Sequence, residues 1–200
     1  GRNSERDAGV SGPRREVLSL RDVSFAYKGA SRTVDDVSLC VAAGECVVLC
    51  GPSGGGKTTI IRLVNGLAGG YYPGEGEGEV TLAGHPADGL ALWERAELVG
   101  SVFQDPSTQF FSSQLAGEIA FTCENLGYDH DRVVELTDGA IDELSLGPLR
   151  GIPNDSLSSG QKQKVAIASA LGPRPALMAM DEPSSNLDVA AADSLGRTLR

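Results

Sequence analysis

The chain has 200 residues, enough for one well-buried domain or a core with a smaller insertion, and too few for two independent enzymes. Its formal net charge is -10, with 27 acidic residues against 17 basic ones. That balance excludes a broad basic surface for nucleic-acid phosphates or an anionic membrane, and no window reaches the roughly 20 apolar residues of a membrane span.

Gly1 to Arg15 is rich in Arg, Ser, Gly and Asp and reads as a mobile tail; it carries no signal-peptide pattern, and a start on Gly1 in place of Met reads as a fragment. From Glu16 to Tyr27 apolar and polar residues alternate, and Thr33 to Val41 repeats the pattern, which predicts two edge-type antiparallel strands. Glu45 to Cys50 (ECVVLC) is nearly all apolar and predicts a strand buried on both faces. Thr59 to Leu67 predicts a helix, Tyr71 to Gly78 a solvated loop, and Glu79 to Ala83 a further strand.

Val99 to Phe103 predicts a short strand ahead of Gln104. Gln114 to Leu126 and Asp131 to Leu146 then read as helices joined by Gly127-Tyr128-Asp129, forming a helical insertion. After Gly151-Ile152-Pro153 come LSSGQ (Leu157 to Gln161), a helix over Lys162 to Leu171, a buried strand over Ala176 to Met180, and a last helix from about Val189. Strands alternating with helices predict an α/β domain with a largely parallel central sheet. Cys40, Cys46, Cys50 and Cys123 form no CxxC pair, and three of them lie in or beside apolar segments, where Cys acts as a small buried hydrophobe in a reduced cytosolic setting. His85 and His130 stand apart without a ligand pattern and read as surface or loop residues.

Gly51-Pro52-Ser53-Gly54-Gly55-Gly56-Lys57-Thr58 fits GxxxxGK[ST] between a predicted strand and a predicted helix, the context in which backbone N–H groups wrap phosphates. Lys57 is placed to neutralise the β- and γ-phosphates and Thr58 to offer a hydroxyl to Mg²⁺. Ala176 to Glu182 is a strand ending in two carboxylates. There Asp181 is a candidate Mg²⁺ ligand and Glu182 a candidate for polarising water. Side chains alternate along a strand, so the two acids take different jobs.

With these motifs in order, the chain resembles the nucleotide-binding subunit of an ATP-binding cassette (ABC) transporter from about Glu16 to Arg200. GPSGGGKT resembles the family's Walker A motif, LSSGQ its signature, ALMAMDEP its Walker B, Ser185-Asn186-Leu187-Asp188 its D-loop and Gln104 its Q-loop. Tyr27 is similar to the aromatic that stacks on adenine in this family, a role suited to a flat π face. Val102 to Gly127 (VFQDPSTQFFSSQLAGEIAFTCENLG) is similar to the ATPases of energy-coupling factor transporters, the vitamin and cobalt/nickel importers. In them this stretch lies near a groove for coupling helices of a membrane partner. Phe103, Phe110 and Phe111 fit both such a groove and an ordinary core.

The resemblance implies a P-loop NTPase (RecA-like) α/β core over 16–104 and 151–200, with an antiparallel β edge, and a helical subdomain over 105–150. It implies ATP and Mg²⁺ as ligands. Tyr27, Gly51, Ser53, Gly54, Gly55, Gly56, Lys57, Thr58 and Thr59 would bind the nucleotide; Ser158, Ser159, Gly160 and Gln161 would contact ATP held by an opposite subunit. Thr58, Gln104 and Asp181 would surround Mg²⁺, and Glu182, Gln104 and Lys57 would carry catalysis. The implied partners are a second ATPase subunit, identical or not, a transmembrane coupling subunit and a substrate-binding membrane component, at the cytoplasmic face of the membrane and without nucleic acid.

Ser159 stands where the family usually has Gly, Lys164 where Arg is common, and Ser184 where Thr is usual. The family's switch histidine belongs on a strand past Arg200, so the resemblance implies a cassette incomplete at its C-terminus, weakly active or inactive by itself. Two other readings stay open: a non-transport ABC ATPase acting on DNA or ribosomes, against which the acidic composition and short insertion speak, and a binding-only cassette.

Overall fold

The computed structural model describes residues 15–105 and 110–183. The tail, most of the QxPxxQ stretch, the Ser185 to Asp188 motif, Ser184 and the expected last helix lie outside the described residues.

Two small sheets and a helical layer make up the described chain. The first sheet is antiparallel, in the order β2-β1-β3-β4, with β1 at Glu16–Tyr27, β2 at Arg32–Ala42, β3 at Gly74–Leu82 and β4 at His85–Pro86. The expectation of two edge strands holds for β2 alone. β1 lies inside the sheet, because β3 begins within the glycine- and glutamate-rich stretch expected to be loop and pairs along almost all of β1, from Leu18↔Leu82 to Tyr27↔Gly74. An alternating strand with one polar face fits an interior as well as an edge position, so alternation does not tell them apart.

The second sheet is parallel and joins β5 (Val99–Val102) to β6 (Leu177–Met180), from Val99↔Leu177 to Val102↔Met180. Its side chains alternate between two cores. Val99, Leu177 and Ala179 pack on one side, with Val17, Leu20, Val23, Val64 and Leu82 beneath the antiparallel sheet. Val102, Met178 and Met180 pack on the other, with Leu115, Ile119, Ile141, Leu146, Val165 and Ile167 of the helical layer. This is the period-2 geometry of a strand pair covered on both faces, and each fully buried aliphatic side chain contributes about 1.5–3 kcal/mol.

The helices are α1 (Lys57–Val64), α2 (Leu92–Leu98), α3 (Leu115–Asn125), α4 (His130–Glu143) and α5 (Ser159–Leu171). α3 packs on both α4 and α5. α2 has no counterpart among the sequence expectations, since it is short and leaves Leu92 and Trp93 exposed. Its Arg95 donates to the carbonyls of Leu63 (3.2 Å) and Ala87 (2.6 Å), tying the end of α1 to the turn after β4; burial lowers the pKa of that guanidinium.

Glu45 to Cys50 corrects the sequence reading. The segment forms no strand, and Val48 is 75% exposed. An apolar run becomes a doubly buried strand only with ladder partners and cover on both faces, and among the described residues this one pairs with no strand. With it, Cys40, Cys46 and Cys50 are exposed and only Cys123 is buried. Burial raises the pKa of the Cys123 thiol.

Candidate functional site

The phosphate loop leads straight into α1. Gly54 and Gly56 adopt φ of 78° and 83°, a region costly for residues with a Cβ, and a Cβ on Gly56 would lie 2.8 Å from the Thr33 carbonyl oxygen. Gly56 is also the N-cap of α1 and offers no side-chain cap, so the first amides of the helix keep their hydrogen-bonding capacity at its positive end. Lys57 bends back over the loop, its Nζ donating to the carbonyls of Gly51 (2.9 Å) and Pro52 (2.8 Å). An ammonium held there can exchange carbonyl oxygens for phosphate oxygens.

The second sheet delivers the acidic side of the site. The Asp181 N–H donates to the Val102 carbonyl at 2.8 Å, extending the β5–β6 ladder to the point where both strands end. From there Asp181 Oδ1 accepts from Thr58 Oγ1 at 3.1 Å, across 123 residues of sequence. Gln104 Nε2 donates to Glu182 Oε2 at 2.9 Å. Glu182 sits at φ 48°, in the left-handed region. The sequence reading assigned Thr58, Gln104, Asp181 and Glu182 to one reaction centre, and the fold brings all four together. A cavity of about 550 Å³ runs between them and an aromatic wall, lined by Thr58, Arg62, Tyr71, Tyr72, Gln104 and Asp181 among others.

These groups fit a magnesium-bound nucleotide triphosphate. Thr58 and Asp181 already place a hydroxyl and a carboxylate oxygen in contact, both hard donors suited to Mg²⁺. Gly51 and Gly54 leave open space where phosphate oxygens would approach, with an uncapped helix start behind them.

Tyr27 lies at the end of β1, edge-on to Phe25 (5.0 Å between centroids) and to Tyr72 (6.4 Å). Its hydroxyl donates to Thr59 Oγ1 at 3.2 Å. LSSGQ opens α5 and does not line the cavity. Ser158 is the N-cap: its hydroxyl accepts from the Gln161 N–H (3.3 Å), while Gln161 Oε1 accepts from the Ser158 N–H (2.8 Å). The S-x-x-Q spacing of a capping box was present in the sequence and could have located this helix start.

Two further residues stand out that sequence reasoning left without a role. Arg62 reaches from α1 into the cavity wall, one turn beyond Thr58. Glu118, 3% exposed, accepts from the backbone N–H groups of Phe111 (2.8 Å) and Ser112 (2.7 Å), anchoring the segment after Gln104 to α3. Phe111 itself is exposed and stacks on Phe121, with centroids 4.5 Å apart.

A phosphate loop feeding a helix, opposed by carboxylates at the ends of a parallel strand pair, defines a P-loop NTPase. The fold agrees with the solved structure of cbiO1 from Clostridium perfringens, part of the ABC transporter complex cbiONQ: the TM-score is 0.82 at 26% identity, covering 92% of this chain and 72% of that one. The ABC transporter family model matches residues 34–185, and the chain belongs to that family, as an ATP-binding domain. An ABC transporter ATP-binding protein of Treponema denticola is 37% identical over 185 residues, and one of Streptomyces coelicolor is 37% identical over 183. The chain spans 38% of the length of the Treponema relative and 68% of the Streptomyces one. Among the described residues no helix is long and apolar enough to cross a membrane.

Proposed function

We propose that this chain binds Mg-ATP between the phosphate loop and the carboxylates of β6 and hydrolyses the β,γ-phosphoanhydride to drive an importer of the energy-coupling factor type. The observation that carries the reading is the convergence of Thr58 with Asp181 and of Gln104 with Glu182 at the ends of adjacent strands. Lys57 and the amides of Gly51 and of Ser53 to Thr59 bind the phosphates, Thr58, Gln104 and Asp181 hold Mg²⁺, and Tyr27 stacks on the adenine.

Glu182 takes a proton from water as the water oxygen attacks the γ-phosphorus and the bond from that phosphorus to the bridging β-oxygen breaks. Gln104 occupies one carboxylate oxygen and leaves the other for the water. Catalysis of this kind rests on positioning and charge neutralisation.

The importer reading is supported by the Val102 to Gly127 pattern and by the likeness to cbiO1. In it, 105–150 acts as a helical subdomain on a core of 16–104 and 151–200. The chain sits at the cytoplasmic face of the membrane, docked on a transmembrane subunit that works with a substrate-binding membrane component taking up a vitamin or a transition-metal ion. Ser158 to Gln161 then close over ATP held by a second ATPase subunit, identical or not.

The test is Glu182→Gln in the chain assembled with its partners. ATP binding should persist while steady-state turnover falls about 100- to 10,000-fold, and unchanged turnover removes Glu182 from the role. Co-purification with a transmembrane subunit checks the importer assignment.

A further inference from the structure

Tyr27 is held more tightly than a tyrosine at a strand end requires. Its hydroxyl donates to Thr59 Oγ1 at 3.2 Å and accepts from Arg62 Nη1 at 3.3 Å. The Arg62 guanidinium carbon in turn lies 4.1 Å from the centroid of the Tyr72 ring, within cation–π range. Tyr72 meets Tyr27 edge-on at 6.4 Å and Tyr71 edge-on at 5.0 Å. Arg62 makes no ion pair among the described residues, so its hydrogen bond and its stacking both serve this cluster. α1 therefore reaches Tyr27 twice, through Thr59 and through Arg62, which lie three residues apart and share one helix side.

We propose that Arg62, clamped on the face of Tyr72, is the positioning residue that sets the plane of Tyr27 and thereby the affinity for the nucleotide base. The inference rests on the reading of Tyr27 as the adenine platform. A ring on a strand end rotates about its side-chain torsions unless its far end is fixed, and a stacking surface contributes fully only when its plane is set before the ligand arrives. Two hydrogen bonds on one hydroxyl fix that far end. Arg62 sits on the helix that also carries Lys57 and Thr58, so base platform and phosphate site share one rigid support.

Binding of two probes to the full chain separates the possibilities: ATP, and inorganic tripolyphosphate, which engages the phosphate loop and has no base. Arg62→Met keeps the aliphatic stem and removes both the hydrogen bond and the cation–π contact. ATP affinity should fall about five-fold with tripolyphosphate affinity unchanged, and Tyr72→Leu should act in the same sense. In a Tyr27→Phe background, which lacks the hydroxyl, the effect of Arg62→Met should shrink.

If Arg62→Met weakens both probes equally, Arg62 merely supports α1 and the proposal is overturned. If Tyr27→Ala weakens ATP alone while Arg62→Met and Tyr72→Leu leave it unchanged, the platform reading stands and the positioning role falls. If Tyr27→Ala does not change the ratio of the two affinities, Tyr27 is no platform and the underlying reading falls first.

Discussion

Two helices of this chain begin at motifs assigned to the same ligand, and they begin in opposite ways. α1 starts on Gly56, which has no side chain to cap the exposed amides. α5 starts on Ser158, whose hydroxyl and backbone N–H are both engaged by Gln161 in a closed box. Every helix start leaves four donors unsatisfied, so the first keeps its amides open to an outside acceptor, whereas the second engages two of the four, those of Ser158 and Gln161, within its own chain. The phosphate site proposed at α1 combines open backbone amides with the Lys57 ammonium held over the loop. At α5 the box leaves the Ser159 and Gly160 N–H groups, with the Ser159 hydroxyl, as the donors a phosphate could meet.

Removing the cation that guards the open start should have the largest effect. Lys57→Met is expected to weaken ATP binding about 100-fold, the range of a charge-assisted hydrogen bond left unmade, while the melting temperature stays near that of the parent; calorimetry and a thermal melt check both halves.

Gly56→Ser would put a side chain at the open start of α1, on a left-handed backbone unlike the extended one from which Ser158 caps α5. The serine would meet the Thr33 carbonyl and must hold a positive φ. A destabilisation of about 1–3 kcal/mol is expected, together with weaker tripolyphosphate binding because the clash with Thr33 shifts the turn that presents the open amides. Full phosphate affinity in that variant would break the comparison.

Ser158→Ala opens the closed start. It should cost about 1 kcal/mol of stability by denaturant unfolding and leave tripolyphosphate binding to the isolated chain unaltered, since the phosphate loop and the open start of α1 are untouched by the change.

The difference between the two starts also explains what the sequence could and could not say. The phosphate loop and the Asp-Glu pair were legible because their chemistry is written in contiguous residues: Gly54, Gly56, Lys57 and Thr58 act through local backbone geometry, and Asp181 and Glu182 through the end of one strand. What depends on neighbours was not legible. Val47 and Val48 read as buried because an apolar run says what a strand needs, not whether another strand lies beside it. β1 read as an edge because alternation is blind to the number of pairing partners. Arg62 drew no role from its place in the helix predicted over Thr59 to Leu67, since its partners Tyr27 and Tyr72 come from a strand and a turn whose meeting is fixed only by the fold. Glu118 was visible within EIAF, yet its hold on the Phe111 and Ser112 amides requires the chain to turn back on α3.

The alternation of β5 and β6 between two cores bears on how this gene can change in length. Leu177 and Ala179 belong to one core and Met178 and Met180 to the other, with Asp181 next along the ladder and Glu182 turning out of it at φ 48°. A single-codon change within Leu177–Met180 would turn the residues after it toward the opposite core; a deletion would present Glu182, and an insertion Met180, where Asp181 meets Thr58. Such a change would lose folding and chemistry in one event, so length changes are expected to be tolerated only in stretches outside that pair.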